Sequence, residues 1–357
     1  MKKFIQLLLA ALIIVLLGAC AEQTSEEAEE APKKETAPEQ KKDPEPRYQA
    51  LEPSEDAVPL KERLSKEELK NMPDEELALG GDPKRSVPVG ETLAKGVEDK
   101  SSGPLKDHRL VAYYGTPQSE NMGILGTMEP EELMKQLKEQ AQAYSNADPE
   151  RPAVPTIELI TTMAQRAPGP EGTYVSKLPD EKIEEYVNLA EKHDALVLLD
   201  IQLGTDTVMN QVKSIEKWLK HPNVHLAIDT EFQVDEGEVP GEDLGQVDGK
   251  EVQKAVEYLS NLTEKNNLPD KFVLVHQFTE HVLTNKKAIQ PTENVEVALN
   301  FDGWGSSIDK MALYKKYVRD NPSQYGGFKV FYDKDQPVMT PEEVVKLDPS
   351  PAIVNYQ

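Results

Sequence analysis

From Arg109 to Tyr356 the chain repeats one pattern: a short apolar run of strand character, then a longer amphipathic stretch. The runs are Arg109–Tyr114, Ala153–Thr161, Ala195–Leu203, Val224–Phe232, Lys271–Phe278, Val295–Phe301, Gly327–Tyr332 and Ala352–Tyr356. Between them, residues alternate at helical spacing over Glu129–Tyr144, Asp180–His193, Thr205–Lys220, Gly249–Lys265, Ser307–Arg319 and Pro341–Leu347. A less defined helix is expected around Glu280–Lys287. Strands that alternate with helices belong to α/β folds, in which the strands run parallel.

Eight such strands over roughly 250 residues fit a TIM-type (β/α)8 barrel, expected over residues 108–357. A doubly wound open sheet is the alternative. It would place a glycine-rich phosphate loop after the first strand, and Gly123-Ile124-Leu125-Gly126 is too sparse for one. The eighth strand reaches the last residue, so no eighth helix follows it. Residues 60–107 are expected to pack on the barrel as an N-terminal extension, with Leu60–Leu79 or the loop after it covering the gap between strands eight and one. Ser65 and Glu68 have the spacing of a capping box, and Gly80-Gly81 would end that helix.

The beginning of the chain has a different character. Met1-Lys2-Lys3 is basic, and Phe4–Leu17 is an apolar run too short to span a membrane comfortably, as in a signal-peptide core. Leu17-Gly18-Ala19-Cys20 then resembles a bacterial lipobox, which implies cleavage after residue 19 and lipidation of Cys20. Cys20 is the only cysteine of the 357 residues, so neither an intrachain disulfide nor a cysteine metal site is possible. Residues 20–59 are rich in Glu, Lys, Pro, Ala and Gln and poor in large apolar residues. Such a segment cannot bury enough surface to offset its ordering entropy and reads as a disordered, charged spacer. The expected location is outside the cytoplasm, with the chain held by lipid to the outer face of the cell membrane. A net charge of -24 argues against nucleic acid, whose phosphates need clustered Lys and Arg.

In barrels of this kind, function gathers where strands end and helices begin. The fourth run ends Ile228-Asp229-Thr230-Glu231. Residues two apart on a strand share a face, so Asp229 and Glu231 point the same way. Burying a carboxylate is costly unless it is paired or has a task. The third run ends Asp200-Ile201-Gln202, the sixth Asn300-Phe301-Asp302-Gly303-Trp304, and the fifth includes His276. The second carries Glu158, the first ends Tyr113-Tyr114, and the seventh ends at Tyr332. Candidate catalytic residues are therefore Glu231, Asp229 and Asp302. Candidate substrate-binding residues are Asp200, Gln202, His276, Asn300, Trp304, Tyr113, Tyr332 and Glu158. Of the adjacent pair Tyr113 and Tyr114, only one can face the barrel interior. Asp200 could alternatively pair with Lys329 or cap the following helix.

Paired carboxylates in unlike environments suit glycoside hydrolysis, and an aromatic rim suits sugar faces. Ile228-Asp229-Thr230-Glu231 resembles the Asp-x-Glu that closes the fourth-strand motif of chitinase-type glycoside hydrolases, and Leu299-Asn300-Phe301-Asp302 resembles their sixth-strand Met-x-Tyr-Asp. Muramidase-type barrels carry an Asp-x-Glu on a comparable strand. The resemblance implies Glu231 as general acid, Asp229 as its partner and orienter of a substrate acetamide, and Asp302 lining the site. The motif's two upstream aspartates are Val224 and Ala227 here, and its sixth-strand tyrosine is Phe301. The expected function is hydrolysis of cell-wall or N-acetylated glycan, without a cofactor. One alternative is an inert barrel that binds glycan or peptidoglycan. Another is a metal-dependent hydrolase using Asp200, Asp229, Glu231, His276 and Asp302. The chain has no His-Glu-x-x-His and no Gly-x-Ser-x-Gly.

Overall fold

A computed structural model describes residues 44–67, 91–93 and 97–357. The signal peptide, Cys20 and most of the spacer lie outside the described residues, as do Glu68 of the capping box and Gly80-Gly81. Among the described residues no helix is long and apolar enough to cross a membrane.

Eight parallel strands close into a barrel. They are, in chain order, Arg109–Gly115, Ala153–Ala164, Leu196–Gly204, Val224–Gln233, Lys271–Gln277, Val295–Phe301, Tyr325–Val330 and Ile353–Tyr356. Each pairs with its sequence neighbour, and the first strand pairs with both the second and the eighth. The seam is in register, with Leu110 opposite Val154 on one side and Ile353 on the other. Closure leaves no free edge.

Alternation sorts the strand residues into two sets. Outward residues such as Val111, Ile157, Val197, Leu226, Val273 and Val297 pack under the helices. Inward residues at the amino-terminal end form a separate apolar plug of Leu110, Val154, Leu196, Leu198, Ala227, Phe272, Leu274, Ala298 and Ile353. The first helix, Pro130–Ala147, shows the periodicity that docks such elements: Leu133, Met134, Leu137, Ala141 and Tyr144 share its buried face. Each fully buried leucine contributes roughly 1.5–3 kcal/mol.

Local hydrogen bonding explains where the helices differ from expectation. The stretch Thr205–Lys220 divides into Val208–Ser214 and Glu216–Leu219. At the break the Ser214 hydroxyl donates to the Gln211 carbonyl at 2.7 Å, competing with the helical ladder. No helix forms over Glu280–Lys287. Leu283–Thr284 instead pairs with Val247–Asp248, and a short 3-10 turn, Lys286–Ala288, leads to the sixth strand. The stretch Ser307–Arg319 is α-helical to Tyr314 and continues as a π-turn over Lys315–Arg319.

Before the first strand, Leu60–Arg63 is a single helical turn. It is held at the foot of the first helix, where Arg63 Nη2 donates to the Ala147 carbonyl at 2.7 Å and Lys61 pairs with Glu150 at 2.6 Å. Residues 68–90 and 94–96, where most of the segment expected to cover the gap beside strand eight falls, lie outside the described residues. Tyr144 and Gln140 of the first helix hydrogen-bond the Tyr356 hydroxyl at 2.7 and 3.0 Å. The amino-terminal mouth is closed by Pro104–Asp107, whose Leu105 lies in the inner plug and donates its amide to Glu296 at 3.0 Å.

Candidate active site

Above the apolar plug, every strand turns a polar side chain inward. In strand order these are Tyr114, Glu158, Asp200 with Gln202, Asp229 with Glu231, His276, Asn300 with Asp302, Lys329 and Asn355. All but Glu231 are buried, and Glu231 is largely so. The layer follows from pleat parity: Leu110, Ala112 and Tyr114 share a face, as do Leu274 and His276.

His276 is the hub. Its Nε2 lies 2.8 Å from Glu158 Oε1 and its Nδ1 lies 3.1 Å from Asp302 Oδ2. Burial works against a charge on this ring, but the two carboxylates outweigh it and hold the His276 pKa well above the ordinary histidine value. The ring is therefore an imidazolium donating at both nitrogens. Asn355 donates to the far oxygen of Glu158, and Thr230 Oγ1 donates to the His276 carbonyl at 2.7 Å. The network thus runs from the barrel interior at Glu158 out to Asp302.

Around this hub the carboxylates fall into two clusters. Oxygens of Asp229, Glu231 and Asp302 lie within 4.8 Å of one another, as do ligand atoms of Glu158, Asp200 and His276. Burial is the main cause that lifts Glu231 to about 7, with the Asp302 charge adding to it. Asp200 is likewise lifted to about 7, chiefly by burial and then by Glu158. Asp229 is pushed well above the ordinary carboxylate range by burial and then by Glu231. Five carboxyl groups thus share this layer with two cations, His276 and Lys329. In a low-dielectric interior such an excess keeps protons on some of the acids.

The layer opens into a cavity of about 560 Å³ lined by Tyr114, Asp229, Glu231, Asp302, Trp304 and Phe331, among others. Trp304 stands at its rim, 65% exposed. Asp335 fixes this rim: it accepts the Gly305 amide at 3.0 Å and the Phe331 amide at 2.9 Å, and pairs with buried Lys310. A second cavity of about 430 Å³ adjoins it, sharing Asn121, Phe331, Lys334 and Gln357.

The expected residues Glu231, Asp229, Asp302, Asp200, Gln202, His276, Asn300 and Glu158 therefore all meet in one layer. Gln202 lies 3.4 Å from both Asp229 and the Tyr114 hydroxyl. Asn300 Nδ2 lies 3.2 Å from His276 Nδ1. Tyr113 and Tyr332 do not join the layer. Parity turns Tyr114 inward, while Tyr113 points outward, toward the Gln136 carbonyl at 3.4 Å. Tyr332 stacks on Tyr356 at 5.1 Å, and both Tyr113 and Tyr332 line the second cavity. Asp200 neither pairs with Lys329 nor caps a helix; its two oxygens have no hydrogen-bond partner, and Thr207 is the cap of the helix that follows. Tyr114, Lys329, Asn355 and Phe331 join the site without having stood out as candidates in the sequence. Lys329 and Asn355 carry the same signal that marks Glu158, one polar residue inside an otherwise apolar strand.

A hard cation such as magnesium could be held by the all-oxygen set of Asp229, Glu231 and Asp302. The inner set suits a metal poorly, because both His276 nitrogens already face carboxylates. The sequence matches no protein-family model and no curated protein.

Proposed function

We propose that the barrel is a glycoside hydrolase in which Glu231 is the general acid. The observation that carries this reading is the meeting of Glu231 with Asp229 and Asp302 at an aromatic-rimmed cavity, with the Glu231 pKa lifted to about 7. A general acid is most effective when its pKa lies near the working pH. Glu231 in its acid form donates a proton to the glycosidic oxygen as the bond to the sugar breaks. Asp302, hydrogen-bonded to the His276 imidazolium at 3.1 Å, meets the cationic sugar carbon. Asp229 shares the cluster with the two, with Gln202 3.4 Å from its Oδ2, and orients the acid and the substrate. Trp304 offers a flat face to a sugar ring.

Carboxyl groups about 5–5.5 Å apart mark retaining glycosidases, and wider separations mark inverting ones. Oxygens of Glu231 and Asp302 lie within 4.8 Å of one another, and the anomer first released from the substrate tells retention, with Asp302 as nucleophile, from inversion. The substrate class is cell-wall or N-acetylated glycan. The chain is anchored through lipid on Cys20 at the outer face of the cell membrane, a reading supported by Leu17-Gly18-Ala19-Cys20. Labelled palmitate should enter the wild-type chain and not Cys20→Ser.

Purified protein should release reducing ends from cell-wall glycan or chitooligosaccharide. Glu231→Gln should lower the rate on the order of 10²–10⁴-fold with the fold intact. Full activity in that variant would remove Glu231 from the role. Glycan binding with no turnover in the wild-type chain would instead identify an inert binding barrel, which the absence of the motif's tyrosine at Phe301 favours.

A further inference from the structure

The seventh strand and the loop after it place two lysines in the lining of the cavity that holds the acid cluster. Lys329 is buried, 4% exposed, with Nζ 3.5 Å from the centre of the Tyr114 ring and 5.4 Å from that of Phe331. Lys334 is exposed at the rim, its Nζ 5.4 Å from the centre of the Phe331 ring. Among the described residues neither ammonium has a carboxylate within ion-pair distance or a hydrogen-bond acceptor. Exposed lysines such as Lys61, Lys182 and Lys254 sit on glutamates, and what sets Lys329 apart is that it is buried and still has no such partner.

A ring face offsets part of the cost of burying Lys329, and among the described residues its ammonium, which lines the cavity, has no protein acceptor. A buried donor group is normally satisfied by protein, water or ligand. Lys329 lines the catalytic cavity, and Lys334 lines both that cavity and its neighbour. The two lysines therefore mark successive positions along one groove, with Phe331 between them. We propose that the groove takes an acidic oligosaccharide, whose carboxylates are received by Lys329 in the catalytic cavity and by Lys334 where the second cavity begins. This rests on the glycoside hydrolase reading and narrows its substrate to sugars bearing a carboxylate, as a uronic acid or as an acid ether such as the lactyl group of muramic acid.

The test is calorimetric titration of the full chain carrying Glu231→Gln, which blocks turnover. Three hexasaccharides are compared: neutral chitohexaose, a hyaluronan hexasaccharide with uronic acids, and a wall-glycan hexasaccharide with muramic acids. At least one acidic hexasaccharide should bind about tenfold or more tightly than chitohexaose, and the one preferred identifies the source of the carboxylate. Adding Lys334→Gln should cut that preference severalfold while leaving chitohexaose affinity unchanged, and adding Lys329→Met should cut it as well. Lys334 is exposed, so its variant decides the matter even if Lys329→Met fails to fold. Equal or tighter binding of chitohexaose, or a preference untouched by Lys334→Gln, overturns the assignment and leaves the hydrolase reading standing. Binding of none of the three overturns both.

Discussion

Replacing Glu231 by glutamine should make the protein more stable at alkaline pH while removing its activity. Burial and Asp302 raise Glu231 from the usual 4.5 to about 7. A group whose folded pKa is raised binds its proton more tightly when folded. The stability it supports is complete below the unfolded value of 4.5 and is lost as pH climbs through about 7. A tenfold change in proton affinity is worth about 1.4 kcal/mol, so ionising this one carboxyl in the fold costs roughly 3 kcal/mol. Because Glu231 is coupled to its neighbours and its charge also raises Asp229, an observed difference of about 1–3 kcal/mol is expected. Glutamine keeps the shape and never ionises. Urea unfolding of both proteins at about pH 4.5, 6, 7 and 8 should show a gap that starts near zero and widens in favour of Glu231→Gln. A gap that stays flat, or one that favours the wild type at the alkaline end, would refute the claim that Glu231 is held protonated by its surroundings. Activity should fall on the alkaline side with a midpoint near 7.

Three further outcomes follow from the geometry. His276→Ala should destabilise by about 3–5 kcal/mol in chemical unfolding, because it strands Glu158 and Asp302 without their cation. Adding Glu158→Gln should recover part of that loss, and no recovery would mean the ring acts through packing alone. Trp304→Ala should raise KM for an oligosaccharide about tenfold and leave the melting temperature unchanged, since the ring is largely exposed. A chelator in excess should leave hydrolysis intact. Loss that magnesium or manganese restores would assign the reaction to a metal on Asp229, Glu231 and Asp302.

The barrel was legible in the sequence because each strand is a short apolar run bounded by an amphipathic helix, and the eight runs map onto the eight strands. The carboxylates were legible for the complementary reason, that an acid inside an apolar run needs a cause. Which groups pair was not legible. Glu158 and His276 lie 118 positions apart, and only barrel closure brings them to 2.8 Å. Parity decided between Tyr113 and Tyr114, and the inward face could be assigned only once the plug residues Leu110, Val154 and Leu196 were seen together. The support of Trp304 by Asp335 crosses 30 positions and runs through the Gly305 amide, so no side-chain pattern announces it.

The division of charge within the barrel gives the site its direction. Beneath the polar layer lies an apolar plug, so an ionised group there cannot be relieved from below. The one imidazolium between Glu158 and Asp302 balances only one of their two charges, so the layer holds more carboxyls than cations, which favours protons on Asp229, Glu231 and Asp200. Of these three, Glu231 is the least enclosed and reaches the cavity, whereas Asp200 has no exposed surface. A proton held by this cluster is therefore best delivered to an outside acceptor through Glu231. Binding a carboxylate on Lys329 would weaken the cation's pull on Glu231 and raise its pKa further. An acidic substrate would then strengthen the protonation of the group that must donate to it, and the alkaline limb of the pH profile should move upward with acidic substrates relative to neutral ones.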